Sequence, residues 1–253
     1  MWSDRDPVVW KYGEAGDVNM NMLAQLDALG SERGRQATMG QRVFETLRQA
    51  IVQLQLRPGN LLSEAEVAKQ LGVSRQPVRE AFIKLAEAGL VEIRPQRGTL
   101  VLLISRREVE NARFMREAIE VAIARKAAAE GDDRGLVAVR RTLDRQREAN
   151  SEGDITAFMR ADDSFHRAIA SMADCEYAWK VLEGLKVQMD RVRYLSMPLA
   201  TPVDTLIAQH ERVYQAIAAH TPDEAEKAMR LHLSEILKSL PHIVRSHEDM
   251  FTD

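Results

Sequence analysis

Apolar residues recur three and four positions apart along most of the chain, the spacing of one face of an α-helix. Thr38 to Gln55 is the first clear case, with Val43, Leu47, Ile51 and Leu54 in one stripe. "LRPGNLL" ends that stripe, with Pro58-Gly59 as a turn. Ser63 then opens a second helix, with Glu66 three residues on to complete a capping box. Val67, Ala68 and Leu71 face inward and Gly72 closes it. Ser74 caps a third helix, which tolerates Pro77 in its first turn, carries Val78, Phe82, Leu85 and Ala86 as its buried stripe, and ends at Gly89.

After Gly89 the period changes. "LVEIRPQRGTLVLLI" has Val91 and Ile93, a turn over Pro95–Gly98, then Leu100 to Leu103, which predicts a short hairpin. Helix, helix, tight turn, helix, hairpin is a winged helix-turn-helix. From Ser105 onward the pattern predicts helices alone, over 106–129, 133–150, 154–173, 176–195, 202–220 and 222–248, the last breaking near Pro241. The fold class is mainly α: residues 38–104 as the winged module and 105–253 as an all-α bundle with its own core. Residues 1–37 show no clear period and form an arm or tail, with a short helix at "VNMNMLAQLDAL".

Composition sharpens this division. The net charge is −3, yet residues 38–104 hold nine Lys and Arg against six Asp and Glu, so a basic module sits on an acidic body. A single cysteine, Cys175, excludes an internal disulfide and points to the cytoplasm. No apolar run reaches the ~18 residues of a membrane span, and the N-terminus lacks the apolar block of a signal peptide.

The start of the third helix is where chemistry concentrates. The second helix of a helix-turn-helix enters the major groove N-terminus first. Arg75 and Arg79 share a face and suit guanine edges or phosphate, and Ser74 and Gln76 can donate to phosphate or a base. Arg97, Gly98 and Thr99 form the wing tip, where glycine lets the backbone approach and arginine supplies charge. Any one of these arginines fits a solvated helix surface as well; the joint pattern points to double-stranded DNA. A module of this size buries too little DNA for operator-grade specificity, so a homodimer on a pseudo-palindrome is expected.

A second constellation lies beyond residue 160, which holds all six histidines. Asp162 and His166 are four apart on one helix face, as either a local pair or a chelating pair. His210 neighbours the inward Val213 and Ile217, and His232 lies near Met229 and Ile236. One aspartate with three histidines suits Zn²⁺, Ni²⁺, Co²⁺, Mn²⁺ or Fe²⁺, one ion per chain. His220, His242 and His247 are read as surface or satisfied residues. With an open position such a site can also activate water, the alternative of a metal-dependent hydrolase, with Glu120 as the one inward carboxylate to serve as base. Against an enzyme, there is no HExxH and no nucleophile elbow.

"LSEAEVAKQLGVSRQPVREAFIKLAEAGLVEIRPQRGTLV" resembles the DNA-binding domain of the GntR family of bacterial transcription regulators over roughly residues 38–104. The resemblance implies DNA contacts by Ser63, Ser74, Arg75, Gln76, Pro77, Arg79, Arg97, Gly98 and Thr99. Ala65 stands where many relatives carry a DNA-reaching arginine, and Gln76 where threonine is frequent. The second half is similar to the FadR C-terminal domain (FCD) class of that family, an antiparallel helical bundle. Its metal-binding members match Asp162, His166, His210 and His232, and their arginine-x-x-leucine-glutamate matches Arg116 and Glu120. That implies a small carboxylate effector, bound partly by the metal and partly by Arg116, which adjusts operator affinity. Cys175 departs from an asparagine common in the class.

Overall fold

The computed structural model describes residues 38–197 and 202–253; the expected N-terminal arm, 1–37, lies outside the described residues. The chain divides into two compact units, Met1–Leu102 and Leu103–Asp253.

In the first unit, helix α1 spans Met39–Val52, where the Thr38 hydroxyl accepts from the Gln41 amide at 3.2 Å. Val43, Leu47 and Ile51 are fully buried and α1 packs against α3. Helix α2, Glu64–Gln70, and helix α3, Arg75–Glu87, form the helix-turn-helix. Val78, Ala81, Phe82 and Leu85 are the buried face of α3. The helices start where Ser63 and Ser74 predict, but neither serine makes a side-chain cap hydrogen bond. Both hydroxyls stay exposed, so the expected Ser63–Glu66 capping box does not form.

The hairpin is the expected one, with an addition. Strands β2, Val91–Arg94, and β3, Gly98–Val101, pair antiparallel, and β1, Leu61–Leu62, adds to the far edge of β3. The register Leu62↔Thr99 and Ile93↔Thr99 puts Thr99 at the centre of the three strands, only 3% exposed. Thr99 therefore holds the wing in place and does not present its side chain at the tip, a correction to its assignment there. Gly98 has φ +101°, and a Cβ there would lie 2.9 Å from the Leu62 carbonyl oxygen. Both facts require glycine.

The second unit begins with strand β4, Ile104–Ser105, then helices α4 (Arg106–Glu130), α5 (Asp133–Glu152) and α6 (Ile155–Met172). Helices α7 (Glu176–Leu185), α8 (Val187–Ser196), α9 (Val203–Ala218), α10 (Pro222–Leu233) and α11 (Glu235–Ser246) follow. A single 3₁₀ turn, Glu248–Met250, leads to strand β5, Phe251–Thr252. Leu143, Phe165, Ile169, Leu182, Val213, Ile217 and Met229 share one core.

Three expectations here are corrected. The helix expected over 176–195 breaks at Lys186, whose buried ammonium bonds Asp163 at 2.9 Å and Asp190 at 2.7 Å. The final helix breaks at Ser234 and runs through Pro241. Pro241 is exposed, and so is Leu237, whose carbonyl the proline leaves without its helical donor, so water can satisfy it. And the helical half does contain strand, because β5 pairs parallel with β4.

Phe82 anchors the winged unit. Phe82→Ala is expected to cost about 3–5 kcal/mol in urea unfolding. Ile83→Ala, on the exposed side of the same helix, should stay within about 0.5 kcal/mol.

Candidate metal centre and nucleic-acid interface

Helix α6 brings Asp162 and His166 to one buried face, α9 brings His210 and α10 brings His232. The three imidazoles converge through the same atom. His210 Nε2 lies 3.1 Å from His232 Nε2, and His232 Nε2 lies 3.3 Å from His166 Nε2. Asp162 sits just outside this triangle, with Oδ1 3.6 Å from His210 Nε2 and Oδ2 3.9 Å from His166 Nε2. All four residues are buried.

The other ring nitrogens decide the chemistry. His210 Nδ1 faces Gln146 Oε1 at 2.8 Å and His232 Nδ1 faces Gln209 Oε1 at 3.2 Å. His166 Nδ1 faces Glu120 Oε2 at 2.6 Å. Each partner is an oxygen that only accepts, so the proton of each neutral imidazole belongs on Nδ1. Three Nε2 lone pairs are then left pointing at one another without a proton between them. A carboxylate lies beside them. Nitrogen ligands on one cation, at about 2.0–2.1 Å from it, stand about 3.0–3.4 Å apart, which matches the observed separations. The residues fit a divalent metal.

Electrostatics agree with that fit. Burial pushes His210 down to about 3, with His166, Arg193 and Arg116 adding to the fall and Asp162 opposing it. Burial also carries His232 well below its ordinary value, reinforced by the other two histidines. Burial alone would raise Asp162, but the Arg193 guanidinium outweighs it and keeps the carboxylate ionised. Glu120 follows the same logic: burial raises it, while Arg116 and His166 bring it down to about 2.

Arg116 and Glu120, both expected at the effector site, pair with each other through Arg116 Nε and Glu120 Oε1. Arg116 also lines a cavity of about 50 Å³ beside the histidines, together with Asp162, His232 and Arg193. Met189, Leu206 and Ile236 give that cavity apolar walls. Among the site residues, sequence reasoning missed Arg193, Gln146 and Gln209. Arg193 bonds Asp162 Oδ2 through Nη2 and Asp190 at 3.2 Å through Nη1. The glutamines carried no signal, because a lone glutamine on a helix is indistinguishable from a surface residue. Cys175 is not at the cluster; its thiol lies against the Ala173 carbonyl at 3.3 Å.

On the first unit, Ser74, Arg75, Gln76 and Arg79 are exposed at the start of α3, Pro77 is half-buried, and Arg97 is exposed at the wing turn. Arg79 is held by Glu64 of α2 through two bonds of 3.1 and 3.0 Å. Gln76 donates to Glu80 at 3.0 Å. The helix start thus offers unpaired backbone N–H groups and a fixed guanidinium on one surface, the arrangement that receives phosphate and base edges.

The family model for bacterial regulatory proteins, gntR family, matches residues 39–101, and the FCD domain matches residues 112–235. The chain is 42% identical over 215 residues to the HTH-type transcriptional repressor RspR of Escherichia coli K12, covering 85% of this chain and 94% of that one. It is 32% identical over 216 residues to the probable D-xylose utilization operon transcriptional repressor of Paenarthrobacter nicotinovorans, covering 84% and 93%. Among solved structures, a GntR transcriptional regulator from Rhodococcus sp. RHA1 aligns with a TM-score of 0.69 at 26% identity, covering 83% of this chain and 99% of that one. E. coli McbR/YncC shares the fold, with a TM-score of 0.70 at 18% identity and the same coverage of 83% and 99%. The described residues contain no helix long and apolar enough to cross a membrane. With a winged helix-turn-helix ahead of an FCD bundle, the chain belongs to the GntR family of bacterial transcription regulators and is a DNA-binding protein.

Proposed function

We propose that this regulator's operator affinity is set by a small carboxylate bound in the second unit beside one divalent metal ion. The observation that carries this reading is the convergence of three Nε2 atoms next to a cavity lined by Arg113, Arg116 and Arg193. His166, His210 and His232 hold the ion, with Asp162 as the fourth ligand. When bound, the ion supplies Lewis acidity toward a carboxylate oxygen. Arg116 and Arg193 supply the cationic side of the cavity. Gln146, Gln209 and Glu120 fix the imidazole tautomers, as outer partners of metal-bound histidines do. Zn²⁺ suits a site this rich in imidazole, while Ni²⁺, Co²⁺, Mn²⁺ and Fe²⁺ use the same donors.

The hydrolase alternative finds no support. Glu120, the carboxylate it requires as a base, is engaged by Arg116 and faces His166.

At the DNA, Ser63, Ser74, Arg75, Gln76, Pro77 and Arg79 form the reading surface of α2 and α3, and Arg97 and Gly98 the wing. Arg79 exchanges Glu64 for phosphate or guanine on binding. A homodimer places two such surfaces on a pseudo-palindromic operator, in the cytoplasm where the DNA is.

Arg75→Ala is expected to cost about 1–3 kcal/mol in operator binding and to relax sequence preference. Arg97→Ala should weaken binding more evenly across sequences. Fluorescence anisotropy on operator and scrambled duplexes over a salt series separates the two; wild-type binding by folded Arg75→Ala would remove it from the interface.

His210→Ala should lose most of the metal by elemental analysis, and chelation should lower the wild type's melting temperature, because only the folded state holds the ion. Equal metal content in the two proteins would exclude His210 as a ligand.

Acid should destabilise the metal-free bundle. His210 is held near 3 when folded but titrates near about 6.5 when unfolded. The unfolded chain therefore takes up more protons as pH falls below that value. Stability drops by up to about 1.4 kcal/mol per pH unit for such a histidine. Urea melts in EDTA at about pH 7.5 and about pH 5.5 test this; equal stability at both would contradict buried neutral imidazoles.

A further inference from the structure

The last residues of the chain do something the sequence pattern did not anticipate. Strand β5 pairs parallel with β4 in the register Ile104↔Phe251 and Ser105↔Thr252. Ile104 is fully buried, and Met250 and Phe251 are buried with it. Asp253 extends the contact, with Oδ1 3.6 Å from Arg106 Nη1. The first unit ends at Leu102, so β4 is the stretch through which the chain leaves the DNA-binding unit. Strand β5 is therefore laid along the stretch that directly follows the first unit.

This ladder also touches the cavity's walls. Helix α8 contributes Met189, Arg193 and Ser196 to the cavity, and β4 packs against α8. The start of α11 contributes Glu235 and Ile236, α11 packs against α8, and the chain runs directly from α11 through the 3₁₀ turn into β5. Glu235 is also tied to the histidines, since its Oε2 accepts from Gln209 Nε2 at 2.8 Å and Gln209 Oε1 faces His232 Nδ1. The helices that wall the cavity therefore lead to both strands of the ladder, to β4 by contact and to β5 along the chain.

We propose that β5 is a strap that couples the metal centre to the DNA-binding unit: seated on Ile104–Ser105 it fixes the connecting chain, and released it leaves that chain free. A ladder of only two residue pairs is the right element for this work. So short a ladder has few bonds to break and opens at low cost, so a modest difference in binding energy between two states is enough to shift it. The inference rests on the reading of the histidine cluster as a metal site.

The test uses the full-length protein, Zn²⁺ alone as the probe, and an operator duplex selected by the wild type from random sequence. Three proteins are compared: wild type, a variant ending at Met250, and Phe251→Ser, which removes the buried ring that seats β5 opposite Ile104. Zn²⁺ content is measured in each, then operator affinity with Zn²⁺ and with EDTA. The wild type is expected to shift by about fivefold or more between the two conditions. Both variants should bind Zn²⁺ as the wild type does and show the same operator affinity in both conditions. If truncation unfolds the bundle, Phe251→Ser alone decides. Variants that bind Zn²⁺ and keep the wild-type shift overturn the strap, as does a wild type that takes up Zn²⁺ without any shift. A wild type that takes up no Zn²⁺ instead overturns the metal reading beneath it.

Discussion

Three imidazole lone pairs cannot satisfy one another. His166, His210 and His232 meet through Nε2 at 3.1 and 3.3 Å in the interior of a helical bundle. Protonating one nitrogen would satisfy one pair and leave the third without a donor. A cation would resolve all three at once, which is the reading proposed for this centre. Helices α6, α9 and α10 are held at the spacing the histidines need by one shared core, in which Phe165, Val213 and Met229 lie one to three residues from a histidine.

Charge is balanced in layers outward from that point. Asp162 meets the histidines on one side and Arg193 on the other; Arg193 meets Asp190, which meets Lys186, which meets Asp163. On the opposite flank Glu120 faces His166 and is neutralised by Arg116. Buried ions are tolerated only when each has a partner and its hydrogen bonds. Both arginines thus serve twice, as counter-ions to the acids beside the histidines and as cationic lining of the cavity. Under the proposed function, an incoming carboxylate would compete with Asp162 and Glu120 for these guanidinium groups.

Local signals were legible in the sequence wherever one element suffices. The stripe Val78, Phe82, Leu85 and the stop at Gly89 gave the recognition helix, and the four-residue spacing of Asp162 and His166 gave half of the cluster. What needed several elements was not legible. Spacing alone could not bring His210 and His232 to His166, and Gln146 and Gln209 matter only because they stand behind rings on other helices. The break falls at Lys186, whose ammonium bonds Asp163 and Asp190, inside a run whose periodicity continues unbroken. Pro241 misled because its usual cost disappears on an exposed helix face. "FTD" is too short to carry any strand pattern, and only its pairing with Ile104–Ser105 makes it one. Thr99 looked like part of the wing tip until the third strand, Leu61–Leu62, enclosed it.

The ring tautomers are the most direct test of this account, and long-range ¹H–¹⁵N correlation spectra of histidine-labelled protein read them. For His166, His210 and His232 the account predicts protons on Nδ1 and Nε2 shifts typical of metal coordination, with the Nε2 signals alone moving when the metal is chelated. Protons on Nε2 of these residues, with spectra indifferent to chelation, would contradict it.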